Sequence, residues 1–226
     1  MVDFNANSFE LNFKNHQNND ALNYGFAVHG WPTFKQTLQK HKALPLKPQL
    51  PEILQINVGY TCNQTCAHCH VNAGPQRKEQ MSKQTFTWCL EALQKHPFKT
   101  VDLTGGAPEM NKHFTWFVEQ LAHLNIEIIV RSNLTILVAN KQFRKMPEFF
   151  AQNKVQVISS LPFFTAHRTN KQRGNGVFEK SVEALKILNQ LGYGKANTGL
   201  LLHLVYNPVG AYLPDNQLAL QHLFKN

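Results

Sequence analysis

From residue 53 onward, the apolar and polar positions switch repeatedly between two periods. ILQINVG (53–59) places Leu54, Ile56 and Val58 on one side, the alternation of a strand. MSKQTFTWCLEALQKH (81–96) then puts Phe86, Cys89, Leu90 and Leu93 on one helical face, with Ser82 as candidate N-cap. KTVDLTGG (99–106) reads as a strand entering a Gly-Gly turn, and NKHFTWFVEQLAHL (111–124) as a helix with Phe114, Phe117, Val118 and Leu121 in a stripe. IEIIVRSN (126–133) is a strand, and ANKQFRKMPEFFAQN (139–153) a helix interrupted at Pro147. VQVISSLP (155–162) is a strand. VFEKSVEALKILNQLG (177–192) is a helix stopped by Gly192. TGLLLHLVYNP (198–208) is nearly continuously apolar and reads as a strand interior to a sheet; LPDNQLALQHLF (213–224) opens a helix with Asp215 as cap.

Strand-then-helix units in series imply an α/β fold with a parallel sheet, through right-handed crossovers. About five such units are visible. Upstream, residues 1–30 are polar, Asn-rich and without period. Residues 31–41 predict a short helix, and LPLKPQLPE (44–52) a proline-rich connector. The chain therefore divides into an N-terminal arm, helix and connector (1–50) and an α/β core (51–226).

Composition narrows the class. The chain has 226 residues and is 42% hydrophobic, enough for one sizeable core. MVDFNANSFELNF has no basic stretch before an apolar run, and the longest apolar runs are too short to span a membrane, so the expectation is a cytoplasmic protein without membrane partners. The net charge of +9 is carried by scattered lysines, without a basic stripe interleaved with aromatics, which argues against nucleic acid as partner.

The chemistry begins at the first strand end, where Cys62, Cys66 and Cys69 fall in the loop YTCNQTCAHCHVNAGP. The residues alone leave several readings. One is an iron–sulfur cluster held by three thiolates with one iron open. Another is zinc, with His68 or His70 as fourth ligand. A third is c-type haem, since CAHCH matches C-x-x-C-H, although haem attachment normally requires export. The last is a set of structural thiols. Cys89, on a helical apolar face, reads as a small buried hydrophobe. Parallel α/β folds collect ligands at the carboxyl ends of their strands, and the cysteine loop, TGGAPE, RSN, SSLP and YNP all follow strand ends.

The spacing C-x3-C-x2-C resembles that of radical S-adenosylmethionine (SAM) enzymes. The resemblance implies a partial (β/α) barrel, a 4Fe-4S cluster on Cys62, Cys66 and Cys69, and SAM chelating the open iron. It also implies one-electron cleavage of SAM to a 5′-deoxyadenosyl radical, and an electron donor such as flavodoxin or ferredoxin. TGGAPE resembles the motif that receives the SAM amino group, giving Gly105, Gly106 and Glu109. Asn133, Ser160 and Asn207 stand where short polar side chains meet the nucleoside, His68 where an aromatic lies beside adenine, and Arg173 where an arginine pairs with the SAM carboxylate.

LQINVGYTCNQTCAHCHVNAGPQRKEQM, with RSNLTIL, SSLPFF and LVYNPVGAYLP, resembles more closely the arsenosugar-biosynthesis radical SAM proteins, over roughly residues 30–220. That resemblance implies a trivalent methylated arsenical as the substrate that receives the adenosyl group. It also implies a truncated core, because members of that family continue into a sixth unit and a cysteine-rich C-terminal region. A peptide- or cofactor-modifying radical SAM enzyme is the rival within the same chemistry; a non-catalytic zinc or haem module is the rival outside it.

Overall fold

The computed structural model describes residues 30–206 and 213–225. A boundary between compact units falls between Leu50 and Pro51, and the two sides are taken separately. In the first, helix α1 (Phe34–Lys40) begins at Thr33, whose side chain and that of Gln36 form a reciprocal capping box.

The second unit is built on a five-stranded sheet: β1 (Ile53–Asn57), β2 (Thr100–Thr104), β3 (Glu127–Ser132), β4 (Gln156–Ser160) and β5 (Leu202–Val205). Every neighbouring pair is parallel, and the spatial order is the chain order. Helices follow the strands in turn: α2 (Lys83–Lys95), α3 (Phe114–His123), α4 (Met146–Gln152), α5 (Ala166–Arg173), α6 (Val177–Gln190) and α7 (Gln217–Lys225). This is the parallel α/β sheet that the alternation predicts, in the partial (β/α) barrel form that the resemblance implies.

Side-chain alternation explains the layering. Ile56, Val58, Val101, Leu103, Ile128, Val130 and Val157 are buried in one core with Phe86, Phe114, Phe117, Val118, Leu121 and Phe150. Phe86 and Phe117 have ring centroids 4.4 Å apart, joining α2 to α3. Residues one position away, such as Gln55, Arg131 and His203, lie on the other face and are exposed. Ser82 caps α2, its Oγ accepting from the Thr85 N–H at 3.2 Å. Cys89 is half-buried against the core.

Several local expectations change. Pro147 does not interrupt a helix; it lies in the first turn of α4, where its missing N–H leaves no hydrogen bond unmade, and a separate 3-10 turn (Phe143–Lys145) precedes it. The cap of α7 is Asn216, whose Oδ1 accepts from the Ala219 N–H at 3.0 Å, rather than Asp215. AHRTNKQR, which has no apolar period, is helix α5, in which Thr169, Gln172 and Arg173 are buried. Strand β5 is shorter than its apolar run: it covers four residues, pairs with β4, and stands at the sheet edge among the described residues.

One carboxylate is buried without compensation. Glu109, on the 3-10 turn Pro108–Met110 after β2, is 4% exposed, and neither of its oxygens has a partner of normal hydrogen-bond geometry. Burial pushes its carboxyl up to about 7, against a smaller opposing effect of the Ser132 hydroxyl. A raised folded-state value means that the native protein holds a proton which the unfolded chain releases near 4.5. The stabilisation is therefore full below about pH 4.5 and is lost as pH rises toward about 7. Its size is on the order of 3 kcal/mol. Glu109→Gln should flatten that slope and leave the variant more stable than the wild type at pH 8. Denaturant midpoints at pH 4.5, 6 and 8 check this; parallel curves for the two proteins would refute it.

Candidate functional site

The segment between β1 and α2 leaves the sheet, carries the three thiols and returns. Two isolated bridges tie it down: Gly59 with Gln80, antiparallel, and Thr61 with Gly74, parallel. Arg77 reinforces the return. It donates to the Asn72 carbonyl at 2.7 Å, pairs with Glu79 at 2.8 Å, and lies 4.7 Å over the Tyr60 ring. Within the loop, the Ala73 N–H points at Cys69 Sγ (3.4 Å), and Cys66 Sγ lies 3.3 Å from Gln64 Oε1.

The turn after β2 docks directly on this loop. Gly106 donates to the Gly59 carbonyl and Ala107 to the Thr61 carbonyl, both at 2.9 Å. The approach leaves no space for a side chain. A Cβ on Gly106 would lie 2.3 Å from the Thr61 carbonyl oxygen, and one on Gly105, at φ +137°, would lie 2.5 Å from that of Gly59. The sequence reading ascribed these glycines to close approach of a ligand. The structure adds a prior demand: two backbones must meet.

The turn after β3 supplies the next support. Leu134, fully buried, adopts φ 65°, ψ −47°, and the Thr135 N–H reaches back to the Asn133 carbonyl at 2.8 Å. This is the strained, positive-φ γ-turn, uncommon for a branched apolar residue. It aims Asn133 at the thiol loop. The Asn133 amide donates to Asn63 Oδ1 (2.7 Å) and toward Cys62 Sγ (3.5 Å), while its oxygen accepts from Thr135 Oγ1 and the Ile136 N–H, both at 3.0 Å. Asn63 and Gln64 in turn donate to Thr135 Oγ1 at 2.9 Å. The Asn133 side chain thus braces the thiol loop.

From β4 and α5 comes Arg173. It is 6% exposed; its Nη2 donates to Gln64 Oε1 at 2.9 Å, its Nη1 to the Ser160 carbonyl, and its Nε has no partner. Among the described residues no carboxylate pairs with it. A buried guanidinium held only by neutral oxygens lacks the counter-charge that would offset its desolvation. The position therefore suits an anionic group such as the carboxylate of an amino-acid cofactor.

One cavity of about 330 Å3 gathers these pieces. Cys62, Cys66, Cys69, His68, Gly105, Gly106, Asn133, Ser160 and Arg173, all singled out in the sequence, line it. Glu109 does not; it is buried beneath the rim. Asn207 lies outside the described residues. Gln64 and Arg131 line the cavity too; each lies in a run read from the sequence as following a strand end, but neither side chain was singled out, because their partners lie 109 and 29 positions away. Burial pushes the Cys62 thiol up, and the neighbouring Cys66 and Cys69 add to the shift. Burial and then the Arg173 charge hold His68 below its ordinary value, favouring the neutral ring. Among the described residues no three His, Cys, Asp or Glu side chains converge closely enough to hold a single metal ion. Thiolates that each bind a different iron of one cluster stand farther apart than the ligands of one ion. The donor set, the empty-handed arginine and the thiol-lined cavity fit a cluster and an amino-acid-bearing cofactor together.

Known proteins fall in line with this geometry. The chain is 25% identical to the mycofactocin maturase MftC of Mycolicibacterium smegmatis over 155 residues, which is 67% of this chain but 38% of that protein. The chain thus spans about two fifths of that relative's length. Two structures of SuiB from Streptococcus suis superpose, one bound to S-adenosylmethionine (TM-score 0.54, 14% identity, 76% of this chain and 44% of that one). The other is bound to the precursor peptide SuiA (TM-score 0.59, 13% identity, 91% and 49%). At such identities these likenesses establish the fold alone. The model of the radical SAM superfamily matches residues 56–209, from the first strand to beyond the last, and the protein belongs to that superfamily.

Proposed function

We infer that the three thiols serve the cofactors of this family, a 4Fe-4S cluster and S-adenosylmethionine, which sets aside their zinc and haem readings. We propose that Cys62, Cys66 and Cys69 hold the cluster, that Arg173 receives the SAM carboxylate, and that the enzyme acts on a peptide. The observation that carries the site is the buried, counter-ion-free Arg173 on the same cavity as the three thiols. The peptide reading is supported by the maturase among the relatives and by the precursor peptide bound to a protein of the same fold. The arsenical reading rests on the runs CNQTCAHCHVNAGP and NPVGAYLP, and no relative or structure described above is named for arsenic chemistry.

Held by Cys62, Cys66 and Cys69, a bound cluster would supply the electron for reductive cleavage of S-adenosylmethionine. The chain's own residues prepare that event. Asn133 and the Ala73 N–H approach Cys62 and Cys69 sulfur, where hydrogen bonds stabilise developing thiolate charge. Gln64, held by Thr135 and Arg173, links the thiol loop to the helix that carries the cofactor's anion partner. Gly105 and Gly106 keep backbone, and no side chain, along the cavity wall. Neutral His68 offers a flat ring on that wall without adding a second cation beside Arg173.

Anaerobically reconstituted protein should carry iron and sulfide, and Cys66→Ala should lose the cluster's visible and paramagnetic signals. Cys89→Ala should keep them, since its thiol packs against the core. Zinc uptake alone in the wild type would overturn the assignment.

Gly106→Val should lose cluster and stability together, because its Cβ would meet the Thr61 carbonyl. A fall in melting temperature together with poor iron retention is the expected pair of results. Intact stability with only SAM binding lost would mean that the glycine serves the ligand and not the loop.

For the substrate, reduced enzyme with SAM should be offered a randomised peptide library and, separately, trivalent dimethylated arsenic. Peptide-stimulated release of 5′-deoxyadenosine with a mass change in the peptide is expected. An adenosyl–arsenic adduct without peptide turnover would restore the arsenical reading.

A further inference from the structure

The face of the sheet turned away from the packed helices carries a charge network that the cofactor site does not use. Asp102 on β2 is 4% exposed, yet it sits on this open face. It accepts from Gln55 Nε2 on β1 at 2.8 Å and from two N–H groups of Arg131 on β3: Nε, 2.9 Å from Oδ1 and 3.0 Å from Oδ2, and Nη2, 2.8 Å from Oδ2. The Asp102 carboxylate therefore grips the side edge of the guanidinium. A bidentate pair of this kind fixes a plane as well as a charge. The end of the guanidinium points elsewhere: Nη1 makes no hydrogen bond among the described residues, the side chain is 44% exposed, and it lines the cavity that holds the three thiols.

The same cavity thus presents two arginines of different character. Arg173 is buried, anchored by neutral oxygens, and suits the cofactor's own carboxylate. Arg131 is half-exposed, pre-oriented by a buried acid, and lies on the strand face from which a second molecule would approach. Ile158 and Val205, on the next strands of the same face, give that approach an apolar flank.

We propose that Arg131, clamped by Asp102 and Gln55, is a substrate-anchoring site for a carboxylate, placing an acidic peptide beside the radical centre. The peptide as carrier rests on the reading under Proposed function; the carboxylate itself does not. Asp102 is a positioning residue: it contacts no substrate and sets the plane of the group that does.

The test uses cluster-loaded protein saturated with SAM without reductant, so that Arg173 is already engaged. Three capped probes are titrated by calorimetry: acetyl-Gly-Glu-Gly-amide, its Gln analogue, and acetyl-Gly-Gly-Gly with a free C-terminal carboxylate. At least one acid should bind about tenfold or more tightly than the Gln peptide, and the pattern tells a side-chain carboxylate from a C-terminal one. Arg131→Gln should abolish the preference. Because that variant leaves Asp102 buried and unpaired, the double variant Asp102→Asn/Arg131→Gln is measured beside it. It should fold, bind SAM as the wild type does, and show no preference for acids. Asp102→Asn alone should weaken the preference without removing it. Neither acid binding more tightly than the Gln peptide, no binding of either acid at about 10 mM, a preference that survives in the double variant, or acids that bind only before SAM is added would each overturn the proposal. Because the probes bind without turnover, a peptide library that fails to react would count against the peptide reading and leave this site standing.

Discussion

Two stretches of backbone meet at the rim of this sheet with nothing between them, and the site depends on that contact. Gly105 and Gly106 lie so close to the carbonyls of Gly59 and Thr61 that no Cβ fits. The contact is purchased with two residues of low conformational cost to strain but high cost to order. In exchange, a loop of some twenty residues that has no core of its own acquires a wall. The thiols then hang from backbone fixed on one side by the β2 turn and on the other by the bridges at Gly59 and Thr61. Any side chain at Gly106 would push the thiol loop before it touched a ligand.

On the far side of the loop, the supports are polar. Asn63, Gln64, Asn133 and Thr135 form a nearly closed set of hydrogen bonds, with the strained turn at Leu134 setting its angle. Such networks specify one arrangement when every member is satisfied. Here the members are satisfied, and the buried side-chain atoms left without a partner among the described residues are Arg173 Nε, the Glu109 oxygens and Ser159 Oγ. Of these, Arg173 Nε belongs to a residue that lines the cavity, where an anionic ligand would supply the charge its guanidinium lacks.

The cavity divides labour between its two faces. Arg173 and the thiols come from the rim, after the strands end, where backbone is free to turn. Asp102, Gln55 and Arg131 come from the strands themselves, whose pleat sends every second side chain to the open face. Of the strand set, Arg131 lines the same cavity as Arg173 and the thiols.

The sequence by itself determined the fold class, the order of the units and the thiols. Each is written in local terms: a period of two or of 3.6, a Ser before a helix, three cysteines in a loop after a strand. The stripe Phe114, Phe117, Val118 and Leu121 is buried as its spacing requires. Local pattern failed where the decisive partner lay far along the chain. HRTNKQR has the polarity of a loop, and its place against Ser160 and Gln64 makes it a helix with a buried arginine. Asn133 reads as a short polar side chain at a strand end, and only a contact 70 positions away shows it bracing the thiol loop. Arg131 reads as an exposed charge on an apolar strand until Asp102, one strand over, orients it. Periodicity records which side of an element is buried; only the tertiary structure decides which polar groups meet there, because their pairing depends on strand register and crossing loops that no local window contains.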